Sequence, residues 1–183
     1  MRRTLVTAIA LALAGGAPAF AHEHGAHAAP VVANATTQLP RDVQPLHYAV
    51  SVTPHAEAMT FDGHVDIRVQ VLEATKTIVL NAVDMTFANT DLQPENGKVQ
   101  HPKVLVDTAT QTATFSFDEP LAPGIYLLRT DYTGKIGTQA NGLFAIDYDT
   151  KAGKKRALYT QFENSDARRF IPSWDEPNYK ATF

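Results

Sequence analysis

The sequence predicts an all-β fold, an antiparallel β-sandwich or open barrel, and three observations carry that prediction. From residue 39 onward apolar residues recur at every second position, the period of a strand with one buried face. Turn-forming residues punctuate the chain about every ten residues, the rhythm of sandwiches and barrels. No segment before residue 163 carries an amphipathic helix pattern.

The strands follow in order. Residues 47–53 alternate through Tyr48, Val50 and Val52, and Val65, Ile67, Val69 and Val71 alternate with Asp66, Arg68 and Gln70. Residues 78–80, 104–106, 112–117 and 125–132 continue the series, and residues 157–162 are a further candidate. Asp62-Gly63, residues 94–97, Pro120, Pro123-Gly124, Thr133-Gly134 and Asn141-Gly142 supply the turns between them. The count is about eight short strands, with no internal repeat to suggest a propeller or solenoid.

Composition narrows the function classes. The chain has 183 residues, 44% of them hydrophobic, and a formal charge of −3. That length suits one ordinary domain, and that charge leaves no basic stripe for nucleic acid. The absence of cysteine removes a disulfide framework, a thiolate nucleophile, a cysteine-based metal site and a lipid-attachment residue.

Residues 1–21 read as a signal peptide. Arg2 and Arg3 precede a mostly apolar run over residues 5–14, and Ala19-Phe20-Ala21 supplies a small-x-small cleavage pattern. That run is too short to span a membrane, so the mature protein is expected to be periplasmic or secreted, with no membrane association after cleavage. Residues 22–38 read as a flexible His/Ala-rich tail. His22, His24 and His27 lack the four-residue spacing of a zinc-protease helix. A free amine at His22 with His24 in third place could chelate copper or nickel; a solvated spacer is the plainer reading. The globular domain is assigned to residues 39–183.

The last 24 residues hold the densest chemistry. Thr160-Gln161-Phe162-Glu163 is followed by Asp166-Ala167-Arg168-Arg169 and by residues 172–177, which contain the single tryptophan, Trp174. If the strand runs through Glu163, Gln161 and Glu163 share a face about 7 Å apart. A carboxamide beside a carboxylate can cradle an ammonium group, through charge-assisted bonds worth about 1.5–3 kcal/mol when shielded. Alternatively, Glu163 pairs with Arg168 or Arg169 and fastens the turn.

T-Q-F-E, D-A-R-R, P-x-W-D-E-P and K-A-T-F, in that order at residues 160–183, resemble the block that closes the N-terminal β domain of zinc aminopeptidases of the aminopeptidase N family. The similarity reaches upstream through Leu39-Pro40, residues 45–48, 61–65, 78–82, 132–135 and 142–144. The resemblance implies a saddle-like β-sandwich domain of that type, in which Gln161 and Glu163 are substrate-binding and hold the peptide's free α-amine. It also implies that Asp166, Arg168, Arg169, Asp175, Glu176 and Lys180 are architectural, tying the segment against a catalytic domain. Ser173 stands where many relatives carry cysteine.

The family's zinc comes with an H-E-x-x-H helix, a downstream glutamate and an acidic exopeptidase motif, none of which occurs in these residues. The expectation is therefore a substrate-end domain whose zinc ligands and catalytic residues lie in a missing catalytic domain, inactive as a peptidase by itself. Its partner would be a peptide N-terminus. A truncated gene product, part of a longer enzyme and a stand-alone remnant all fit, and an unpaired sheet edge is expected near Phe183. The competing class is a non-catalytic secreted β-sandwich binding module. His47, His55, His64 and His101 are scattered, although His47 and His64 could meet across paired strands.

Overall fold

A computed structural model of the chain describes residues 38–183. The signal peptide at 1–21, the tail through residue 37 and the candidate metal ligands His22 and His24 lie outside the described residues. Nine strands follow one another: β1 (Val43–His55), β2 (Thr60–Val71), β3 (Thr75–Asn81), β4 (Thr86–Pro94), β5 (Lys103–Asp107), β6 (Thr112–Leu121), β7 (Gly124–Lys135), β8 (Gly142–Thr150) and β9 (Gly153–Gln161). A single 3₁₀ turn, Ala167–Arg169, comes after β9. Pairing is antiparallel within three sheets, ordered β1-β2-β7-β4, β3-β6-β5 and β8-β9. The all-β antiparallel prediction holds.

Alternation explains which side of each sheet is buried. On β2, Phe61, Val65, Ile67, Val69 and Val71 are buried while Asp62, His64 and Arg68 face solvent. From β3 and β6 come Ile78, Leu80, Ala113 and Phe115, which join the same core, and the Phe87 ring meets Phe115 edge-on at 5.5 Å. Two layers of side chains thus close over one apolar interior, the sandwich arrangement.

Strands β4 and β8 escaped the alternation reading. In β4 only Leu92 is buried, and a bulge between Ala88 and Asp91, with Asn89 at φ 45°, breaks the period. β8 has both faces exposed from Ile146 onward. Neither segment separates a wet face from a dry one, so neither leaves the sequence signature of a half-buried strand.

Two glycines on β2 and β7 face aromatic rings across the ladder. Gly63 is the register partner of Tyr132, and Gly134 that of Phe61. A Cβ at Gly63 would come within 2.2 Å of the Tyr132 ring, and one at Gly134 within 2.3 Å of the Phe61 ring. Each ring lies over the hydrogen of its partner glycine, and the two rings meet edge-on at 6.2 Å. Tyr132 also donates its hydroxyl hydrogen to the Phe170 carbonyl at 3.0 Å, linking this pair to the C-terminal segment.

That segment folds back onto the sheets. Asn81 and Ser173 exchange backbone hydrogen bonds at 2.8 and 3.1 Å, and the Asn81 side-chain carbonyl accepts from Asp175 N–H at 3.1 Å. Glu176 accepts from Leu39 N–H and pairs with Arg41, and the Tyr179 hydroxyl donates to the Pro40 carbonyl at 3.2 Å. The two ends of the domain are therefore fastened to each other. The edge expected to stand open near Phe183 is occupied along residues 46–48. Thr182 bridges β1 in parallel there, with Tyr48 N–H donating to Thr182 O at 2.9 Å, and the Phe183 ring stacks on Tyr48 at 5.0 Å.

The Ser173 hydroxyl is buried with no hydrogen-bond partner, although its backbone is fully paired with Asn81. A buried orphan hydroxyl costs about 1–3 kcal/mol. Ser173→Ala or Ser173→Cys is expected to raise stability by about 1 kcal/mol in urea titration. Gly134→Ala should lower it by about 1–3 kcal/mol through overpacking against Phe61, read as a fall in the urea midpoint.

Candidate functional site

Gln161 is the last residue of β9 and pairs with Gly142, the first of β8. Strand β8 supplies no residue opposite position 163, so the ladder ends and Glu163 sits in a turn. The strand candidate at residues 157–162 ends at Gln161, so the condition under which Gln161 and Glu163 would share a strand face is not met, because the pairing partner stops there. The Gln161 side chain turns back on the turn instead, its oxygen Oε1 accepting from the Glu163 backbone N–H at 3.1 Å. That bond fixes the Gln161 amide with its NH₂ group directed away from the Glu163 backbone.

Phe162 sets the direction of its neighbours. Its ring stacks on Phe170 at 5.3 Å, and Phe170 packs on Phe61 at 5.8 Å, so the middle residue of Q-F-E is the inward anchor. Gln161 and Glu163 on either side are both exposed. Asp166 N–H donates to the Phe162 carbonyl at 3.0 Å, which closes the turn. Gly142 adopts φ +62°, and a Cβ there would lie 2.6 Å from the Arg169 Cβ. Only glycine lets the 3₁₀ turn sit this close to the strand end that carries Gln161.

Both arginines that could have captured Glu163 are engaged elsewhere. Arg168 pairs with Asp175 at 2.9 Å, donates to Gln111 Oε1 at 3.2 Å and reaches the Asp175 carbonyl at 3.3 Å. Arg169 pairs with Asp166 at 2.8 Å and lies 3.8 Å from Asp84. Among the described residues no ion pair involves Glu163. The alternative in which Glu163 fastens the turn is therefore not the one adopted. Asp166, Arg168, Arg169, Asp175 and Glu176 are each held by ion pairs within this domain, because the turn folds each acid back within reach of a base.

A second polar cluster lies on the solvent face of the four-stranded sheet. His64 on β2 is the register partner of Asp131 on β7 and of Ser51 on β1. Its Nδ1 is 2.6 Å from Asp131 and its Nε2 is 3.1 Å from Asp66. Asn89, at the β4 bulge, donates to the other Asp131 oxygen at 2.9 Å. Sequence reading missed this cluster because strand register, not spacing, assembles it; only the i, i+2 relation of His64 and Asp66 was visible. His47 does not meet His64, since the β1–β2 register places it opposite Arg68, and its ring bonds Thr182 at 2.7 Å. Among the described residues no group of three or more His, Cys, Asp or Glu side chains is arranged to hold a metal ion.

The hydrogen bond to Asp131, aided by Asp66, raises the His64 pKa above its ordinary value, and the bond to His64 lowers that of Asp131. A raised folded pKa gives stability that is complete below the unfolded value of about 6.5 and is lost as pH climbs through the folded value. The lowered Asp131 gives stability present above about 3.9 and lost as pH falls through its folded value. Both groups are exposed, so the whole effect stays within about 0–1 kcal/mol. The stability difference between wild type and His64→Gln should therefore be largest near pH 5–6 and shrink toward pH 9, as read by urea midpoints across that range.

Comparison with known proteins gives the site its context. Residues 44–183 match the family model described as the peptidase M1 N-terminal domain. Aminopeptidase N of Acetobacter pasteurianus is 36% identical over 150 residues, a stretch covering 81% of this chain and 41% of that protein. Aminopeptidase M1 of Arabidopsis thaliana is 33% identical, covering 80% of this chain and 17% of its own length. Endoplasmic reticulum aminopeptidase 2 of Homo sapiens is 34% identical, with 80% and 16% covered. The chain thus spans less than half the length of these relatives, and within its own length the match takes in both the sheets and the turn at residues 161–175. By that match, the chain belongs to the peptidase M1 N-terminal domain family.

Proposed function

We propose that this chain is the substrate-end domain of an exported, zinc-dependent aminopeptidase, and that Glu163, with Gln161, anchors the α-ammonium of a peptide. The observation that carries the reading is the free Glu163 carboxylate beside two arginines already paired to Asp175 and Asp166. An exposed anion with no cation of its own suits a cationic ligand, and a peptide N-terminus brings an ammonium group with three donors. Anchoring that group would confine cleavage to the first peptide bond.

Among the described residues no side-chain group is arranged to hold zinc, so no step through the metal is assigned to them. In the relatives' longer chains the metal would polarise the scissile carbonyl and activate water. This domain's contribution is to bind and orient. Export rests on the leader pattern at residues 1–21, and the product would be periplasmic or secreted.

Titrating the isotopically labelled chain with L-alaninamide, with N-acetyl-L-alaninamide as control, tests the anchor. The free amine should shift the Glu163 resonances with a Kd of roughly ten millimolar or weaker, and the acetylated control should not. Glu163→Gln should weaken binding at least about fivefold, the loss of a charge-assisted bond. Equal shifts from amine and control would overturn the anchor. With zinc added, the chain should not cleave alanyl-p-nitroanilide above buffer. Turnover within about tenfold of a whole aminopeptidase would overturn the non-catalytic assignment.

A further inference from the structure

Strand β5 lies at one margin of the β3-β6-β5 sheet and pairs on one side only, with β6. A sheet margin presents unbonded N–H and C=O groups, and native proteins usually blunt it. The other margins in this domain are blunted. β4 carries a bulge and is bridged at Leu92 by Gln100, β3 is bridged at Asn81 by Ser173, β1 at His47 by Thr182 and β8 at Phe144 by Gly137. β9 carries Lys154, Lys155 and Arg156 in succession. β5 has none of these devices. Its register with β6 runs without a shift, and among the described residues no backbone bond reaches its outer side.

The strand reads Lys103-Val104-Leu105-Val106-Asp107, a pattern complementary to its own reverse. Laid antiparallel on a second copy and centred on Leu105, it sets Leu105 opposite Leu105, Val104 opposite Val106 and Lys103 opposite Asp107. Residues opposite one another in such a ladder lie about 4.5–5.5 Å apart. Leu105 is 70% exposed, the most exposed large aliphatic side chain among the described residues, and it shares its face with Lys103 and Asp107. Val104 and Val106 rest against the core from the other face. Asp107 Oδ1 accepts from the Ala109 and Thr110 N–H groups at 2.8 and 3.4 Å, which fixes the carboxylate and leaves Oδ2 open to a cation. Among the described residues neither Lys103 nor Asp107 has an ion-pair partner.

We infer that β5 is a self-association edge: a second copy of the chain adds its own β5 antiparallel about Leu105, joining the two β3-β6-β5 sheets into one. The contact is two-fold symmetric, so each Lys103 meets the other copy's Asp107. Charge selects the register. Sliding the copies by two residues sets Leu105 against Lys103 or Asp107. Sliding them by four sets Lys103 against Lys103, or Asp107 against Asp107, and like charges directly opposite destabilise a ladder. The strand is short and its charged pairs are exposed, so the association is weak, with a Kd of about 0.1–1 mM.

Sedimentation equilibrium of the full chain tests this edge. The apparent mass is expected to climb from one chain toward two, with a Kd in that range. Lys103→Glu and Asp107→Lys each set like charges at both ends of the ladder and should weaken association at least about fivefold. Mixed in equal amounts they should restore it, because each variant meets its opposite charge in the other. A chain without cysteine also allows a covalent reading. Cross-strand spacing at Leu105 suits a disulfide, so Leu105→Cys should form an oxidised dimer at least about tenfold faster than Ile146→Cys, a half-exposed position on β8. A mass that stays at one chain up to about 2 mM overturns the inference. So does a mixture of charge variants that associates no better than either alone, or equal rates from the two cysteine variants. Association abolished by Ile146→Lys and unaffected by Lys103→Glu places the contact on the hairpin and also overturns it. The wild-type mass and the cysteine pair decide the matter even if a charge variant folds poorly.

Discussion

A surface carboxylate is available to a ligand only when every neighbouring cation has a nearer partner, and residues 161–175 are built around that condition. Arg168 and Arg169 follow Glu163 closely enough to neutralise it. Asp175 sits seven residues beyond Arg168 and takes it at 2.9 Å, with side chains only 15% and 12% exposed. Asp166 takes Arg169 at 2.8 Å. The Arg168–Asp175 pair is sheltered, so loss of either member would strand a charge at a cost well above that of a surface pair. It would also leave a guanidinium free to compete for Glu163. The pairs thus stabilise the turn and keep the candidate site empty of internal cations.

The pairs hold because the segment that bears Asp175 is itself fixed. Asn81, buried at the end of β3, accepts from Asp175 N–H and exchanges backbone bonds with Ser173. Val83 N–H donates to the Arg168 carbonyl at 2.8 Å, so the same stretch after β3 clamps both members of the ion pair. Beneath the turn, the stack of Phe162 on Phe170 on Phe61 ties it to the glycine–aromatic ladder of β2 and β7. Displacing a ring in the sheet would therefore be felt at residue 163. The position of one exposed acid is a consequence of core packing, not of local loop preference.

How much of this could be read from sequence follows from what each feature depends on. The strands with one dry face, β2, β3, β6 and β7, announce themselves because burial imprints a period of two. Strands β4 and β8 are wet or bulged on both sides and leave no such imprint. Gln161 and Glu163 were legible as neighbours, but the strand ends before Glu163, and the link that forms is from the Glu163 backbone to the Gln161 side chain. That Glu163 is free was not legible, because it depends on contacts to Asp175 and Asp166 that only the folded turn defines. His64, Asp131 and Asn89 lie on three strands far apart in sequence, and register alone makes them neighbours. Tyr159 is half exposed because β8–β9 stands as a separate two-stranded hairpin.

Magnitudes constrain what such a site can do unaided. In open solvent an ion pair between Glu163 and an ammonium is worth about 0–1 kcal/mol, and an aromatic contact adds about 0.5–1.5 kcal/mol. Together these reach at most about 2.5 kcal/mol, well short of the roughly 4 kcal/mol that millimolar binding needs at a 1 M standard state. The same carboxylate becomes several times stronger when water is excluded, since Coulomb energy scales inversely with the local dielectric. A peptide-binding surface built on this hairpin therefore gains its strength from whatever closes over it. On the proposed reading, the uncompensated Glu163 carboxylate is one half of a cleft that such a cover would complete.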